Sequence, residues 1–204
     1  MTDCFALLGE TRRPWLDPES LKNKFLTLSA EVHPDRVHNA DDTTRHAAQA
    51  RYTELNAAYN CLRDHKARLR HLLELEIGAK PKDVQEIPPD LMKIFLDVSQ
   101  LCRATDTFLA EKSKINSPLL KVQVFERSQQ WIDKLTALQQ HINSRHEREV
   151  ERLKTADNEW NSIVGVDSPD RIAVLKRLEG IYRLFSYFGR WSAQLQERIV
   201  QLSF

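Results

Sequence analysis

His33, Pro34 and Asp35 stand together in "LSAEVHPDRVHN", residues 28–39. Three readings are open to such a triplet. In a catalytic one, His33 is a general base oriented by Asp35, as in a hydrolase. In a second, the triplet is a capped helix end whose side chains meet only water. In a third it is a docking loop. The catalytic reading lacks its surroundings. No Ser or Cys sits in a strand-to-helix elbow, no Gly-rich loop cradles phosphate, and a helical chain offers few preorganised backbone donors for an oxyanion. A metal reading of His33 with His38 and His46 scatters three histidines over a loop and a helix start without a cysteine among them. No metal ligand set, catalytic residue or cofactor is expected.

The elements that must position the triplet are helical. From Pro18 to Val32, Leu21, Phe25, Leu28 and Val32 recur at spacings of four, three and four, one stripe of a helix, with Asp17 and Pro18 as cap and first turn. Pro34 ends it, and the polar stretch Arg36 to Thr43 reads as a loop. A second helix is expected from about Thr44 to Arg63, a short one in "DCFALLG", and a continuation through "RLRHLLELEI" to about Ile77. Residues 77–89, with "GAKPKDVQEIPPD", read as a linker between a hairpin-like unit at 1–76 and a second unit at 90–204. There Pro88 and Pro89 open a helix to about Lys114, "NSP" caps one reaching about Asn161, and "GVDSPD" caps a last one to about Leu202. Three long helices with short turns predict an antiparallel bundle, so the whole chain is all-α.

Composition removes several classes of function. Lys plus Arg number 30 against 29 Asp plus Glu, which leaves no basic field for a phosphate backbone, so nucleic acid is not an expected ligand. No apolar run approaches the roughly 20 residues that span a bilayer. The opening "MTDCFALLGE" has neither a basic n-region nor an Arg-rich transit character, which points to a cytoplasmic protein. Cys4, Cys61 and Cys102 form no C-x-x-C pair and are expected to be reduced thiols packed as small hydrophobes.

The segments "DCFALLGE", "LKNKFLTLSAEVHPDR" and "RYTELNAAYNCLRD" resemble, in order and spacing, helix I, helix II with its His-Pro-Asp loop, and helix III of a J-domain. With "ARLRHLLEL" and a three-helix C-terminal unit, the chain resembles the HscB and Jac-type co-chaperones of iron-sulfur cluster assembly. That resemblance implies a J-domain at 1–76 whose His33, Pro34 and Asp35 dock on an ATPase chaperone of the DnaK and HscA class and trigger its ATP hydrolysis. The chain itself would not be an enzyme. Proline fixes one φ and leaves its neighbours extended, so the side chains on either side have little ordering entropy left to lose. Asp35 would then seek a guanidinium on the partner. Helix II departs from the family: its basic face is reduced to Lys22 and Lys24, Arg36 must supply part of the attraction, and Val32 stands where an aromatic is usual.

The helix after Pro89 carries two apolar stripes. Leu91, Ile94, Val98, Leu101, Thr105 and Phe108 form one, which a bundle core would bury. Met92, Phe95, Leu96, Ser99 and Cys102 form another, roughly 120° away at 100° per residue. The second is a candidate protein-binding face; the alternative is a helix packed on both sides. By resemblance, Leu91, Met92 and Phe95 match the family's "L-M-x-x-[LF]" pattern, which contacts an IscU-like cluster scaffold, with Leu96 and Ser99 beyond them and Leu184 from the last helix. The competing reading is a general J-domain co-chaperone whose bundle dimerises or presents unfolded clients.

Overall fold

Aspartates open the first four helices, each accepting backbone N–H groups that have no partner inside the helix. Asp3 does so for α1 (Cys4–Leu7), from Phe5 and Ala6. Asp17 caps α2 (Pro18–Glu31) through Ser20, and Asp41 caps α3 (Asp42–Arg63) through Thr44 at 2.9 Å. Asp64 accepts from Ala67 at 2.7 Å, which breaks the chain between α3 and α4 (His65–Ile77). Gly78 ends α4 with φ 75°, a left-handed backbone that glycine adopts at no steric cost. Beyond it come α5 (Met92–Lys112), α6 (Pro118–Ser162) and α7 (Pro169–Ser203). This computed structural model describes residues 2–37, 39, 41–81, 87–115, 117–163 and 168–203. Among them there is no strand, and the expected all-α class is the one observed. Asn116, residues 82–86 of the expected linker, and residues 165–167 of the last cap lie outside the described residues; Ser168 Oγ does accept the Arg171 N–H at 3.2 Å.

Two compact units emerge, and they do not follow the sequence order. One joins Met1–Lys82 with Val150–Tyr182; the other joins Asp83–Glu149 with Arg183–Phe204. A sequence division that keeps 90–204 whole therefore differs from the division by contacts. The reason lies in the loop after α1, "ETRRPWL". Asp157, 2% exposed, accepts from Arg13 Nε at 3.1 Å and from the Trp15 N–H at 3.1 Å, and Arg13 closes a second bond through its other nitrogen. Trp160 Nε1 donates to Arg12 O at 2.9 Å, and the Arg171 guanidinium lies over the Trp160 ring at 3.6 Å. From α4, the buried Arg68 donates to Pro14 O at 2.8 Å and Leu62 O at 2.6 Å. Burial pushes the Arg68 guanidinium down to about 10, still charged at neutral pH. The core around these groups is Phe5, Leu8, Leu21, Leu55, Leu62, Leu69 and Leu72, all nearly or fully buried. α3 packs against α1, α2 and α4.

In the second unit, polar pairs fix the directions of the helices. Arg127 meets Glu111 and Arg145 meets Asp90, so α6 runs antiparallel to α5. Arg198 pairs with Asp106 at 2.7 Å, and Lys112 Nζ donates to Leu202 O at 2.9 Å, so α7 runs parallel to α5. Gln139 with Gln196 and His146 with Phe185 set α6 antiparallel to α7. The core is aromatic: Phe108, Phe185, Tyr187, Phe188 and Trp191, with Leu91, Ile94 and Val98.

Candidate functional site

The triplet sits where α2 must stop. Pro34 has no N–H to continue the helix and disfavours helical backbone at the residue before it, so α2 ends at Glu31 with Val32 as its cap. A single 3-10 turn, Pro34–Val37, follows, closed by the Arg36 N–H on His33 O at 2.9 Å. The Arg36 guanidinium turns back to Ala30 O at 3.2 Å and satisfies one of the orphan carbonyls at the end of α2. The hairpin beneath is held by Phe25 of α2 stacked on Tyr59 of α3, centroids 4.4 Å apart and nearly parallel.

His33 is held from two sides. Its ring meets Tyr52 of α3 edge-on, with centroids 5.4 Å apart and planes at 84°. Its Nδ1 accepts the Asp35 N–H at 3.2 Å, which leaves the proton of the neutral ring on Nε2. The Asp35 side chain is 90% exposed, with one oxygen 3.5 Å from that same Nδ1. The turn thus presents a half-exposed imidazole and an exposed carboxylate side by side. Tyr52 was legible in the sequence only as a residue of the third helix; its contact with His33 was not.

The cations expected beside the triplet differ in availability. Lys22 is exposed. Lys24 is engaged within its own unit, 2.9 Å from Glu10 Oε1 and 3.2 Å from Gly9 O, where it steadies the loop after α1. Of the histidines weighed above as a metal set, His46 places its Nδ1 2.7 Å from Asp42 O, and His38 lies outside the described residues.

In the second unit, the two stripes of α5 separate over its first two turns, where Ile94 and Val98 are buried, but not beyond, where Leu101 is only half-buried. Met92 is 42% and Leu96 48% exposed, with Phe95, Ser99 and Leu184 half-buried. Leu91 corrects the expectation drawn from the family pattern: it is fully buried, on the same face as Ile94 and Val98, and belongs to the core. Cys102 also turns inward. Cys4 and Cys61 depart from the packed-thiol expectation, being only half-buried and lying with the buried His71 so that one donor atom from each falls within 4.8 Å of the others. A hydrogen bond with Cys61 holds the Cys4 thiol below its ordinary range, and the same contact pushes Cys61 up.

No protein-family model matches the chain. It is 36% identical over 92 residues to a protein of Paraburkholderia phymatum named Co-chaperone protein HscB homolog, covering 44% of this chain and 52% of that one. A protein of the same name from Bordetella pertussis is 39% identical over 72 residues, covering 35% and 42%. The chain thus spans about half the length of the curated relatives it matches. Among solved structures it is similar to the chaperone HscB from Vibrio cholerae, with TM-score 0.60 at 16% identity over 98% of this chain and 99% of that one. The human co-chaperone protein HscB gives TM-score 0.62 at 15% identity over 96% and 81%. The chain is a homologue of HscB-named proteins in part of its sequence and shares their fold over nearly all of its length.

Proposed function

We propose that the chain is a J-domain co-chaperone of the HscB type, which stimulates ATP hydrolysis by a DnaK or HscA-type chaperone and brings it an IscU-like iron-sulfur scaffold. In this reading residues 1–76 form the J-domain. His33, Pro34 and Asp35 dock, with Lys22, Lys24 and Arg36 adding positive charge, Lys24 from its pairing with Glu10. Met92, Phe95, Leu96, Ser99 and Leu184 receive the scaffold. The names of the curated relatives support the coarser part of this reading.

The observation that carries it is the clamp on His33, between the Tyr52 ring and the Asp35 N–H. An interface residue already held in one geometry loses less entropy on binding; immobilising a free side chain costs about 0.5–1.5 kcal/mol. Asp35 is left outward, where a partner guanidinium can take it through two parallel N–H···O bonds. The ATP chemistry belongs to the partner; this chain shifts it by binding.

His33→Gln tests the reading. The side chain lies outside the core, so helicity by circular dichroism should match the parent, while steady-state ATP turnover of a purified DnaK or HscA-type chaperone should fall from the stimulated to the basal rate. A variant that stimulates like the parent would sink the docking role.

A further inference from the structure

We propose that Cys4, Cys61 and His71 form a binding site for a thiolate-seeking divalent cation of the zinc class. The three residues come from α1, α3 and α4, and their donor atoms all lie within 4.8 Å of one another. A tetrahedral zinc with Zn–S of about 2.3 Å and Zn–N of about 2.05 Å needs its donors about 3.6–3.8 Å apart. The gap is at most about 1.2 Å, within the reach of a χ1 adjustment at two cysteines that are half-exposed and not locked in the core.

The surroundings are those of a site. His71 is buried, and its ring is stacked on Phe5 with centroids 5.8 Å apart, so one donor is preplaced. Its Nε2 accepts the Cys4 N–H at 3.0 Å, which aims that lone pair at the start of α1, where Cys4 begins. A cation taking this lone pair exchanges one hydrogen bond for a coordinate bond. The Asp3 carboxylate, 3.9 Å from the same nitrogen, already bonds the Phe5 and Ala6 N–H groups, so three protein donors leave the fourth position to water. Two sulfurs and an imidazole select zinc-class metals over magnesium or calcium. Bound there, the ion would tie α1 to both α3 and α4.

The bland alternative is a thiol pair packed beside a histidine that merely accepts an amide proton. It predicts no metal affinity. The test is a titration of the full-length chain, kept reduced with a phosphine, using Co2+ alone as the probe. The expected result is a sulfur-to-cobalt charge-transfer band with tetrahedral d–d bands, saturating at one equivalent and displaced by Zn2+. Cys61→Ser and Cys4→Ser should each weaken binding by about 100-fold or more, beyond the 10–100-fold typical of outer-shell changes. Cys102→Ser should leave it unchanged. Should a variant fail to fold, Zn2+ on the parent should protect Cys4 and Cys61, but not Cys102, from alkylation as mapped by mass. Absence of the charge-transfer band, its survival in the Cys4→Ser/Cys61→Ser double variant, or no protection overturns the proposal.

Discussion

Tyr52 holds the His33 ring from the side of α3, with centroids 5.4 Å apart. The contact is edge-to-face, an arrangement worth about 0.5–1.5 kcal/mol. Tyr52→Ala should therefore raise the concentration of this protein needed for half-maximal ATPase stimulation by roughly 2- to 10-fold, with the maximal rate kept. Tyr52→Phe keeps the ring and should behave like the parent. Equal stimulation by Tyr52→Ala would mean that the clamp is incidental. At this scale the sequence was half legible. The triplet announces itself, because proline before a carboxylate cannot continue a helix. Its clamp does not, since Tyr52 lies 19 positions on and periodicity says only which way it faces. Lys24 shows the reverse case: a lysine on an exposed face reads as unpaired, and only the fold reveals Glu10 beside it.

On α5 the division of labour follows from 100° per residue, and it makes two substitutions diverge. Met92→Ala with Phe95→Ala should weaken calorimetric binding to a purified IscU-like scaffold by about 2–4 kcal/mol, roughly 30- to 1000-fold, with the melting temperature little changed. Leu91→Ala should instead open a cavity in the second unit and cost about 2–5 kcal/mol of stability. Unchanged binding by the double variant together with a collapsed melting temperature would favour the general co-chaperone reading. The stripes were legible from spacing in the first two turns; Cys102, placed by spacing on the outer stripe, is buried. Leu91 was misplaced by pattern matching, which counts neighbours along the chain, whereas its spacing to Ile94 and Val98 already put it on the buried face. Helix ends were legible wherever a proline or glycine marks them, and the end at Arg63 was placed too; the capping of the next helix by Asp64 was not, because an aspartate between two apolar runs reads as one more solvated residue.

For the whole molecule, the surprise is that 150–182 completes the N-terminal unit. Nothing in "KTADNEWNS" marks Asp157 as buried, since an acidic residue in a polar stretch of helix normally faces water. Its partners Arg13 and the Trp15 N–H lie more than 140 residues away, beyond the reach of any periodicity. Asp157→Ala removes the acceptor of Arg13 and of the Trp15 N–H and should cost about 1–3 kcal/mol, read as a lower melting temperature. The fragment 1–76, expected from sequence to fold alone, lacks both Asp157 and Trp160. It should melt earlier and less cooperatively than the full chain by circular dichroism; equal stability would show the long-range clasp to be dispensable. The same clasp acts during synthesis. At roughly 5–20 residues per second, about 7–30 s separate the appearance of Arg13 from that of Asp157. The His-Pro-Asp turn leaves the ribosome before Asp157, on a hairpin whose bracing loop is still open. The order of translation thus works as a delay: the turn is made first and rests on a finished unit only once Val150–Tyr182 has emerged.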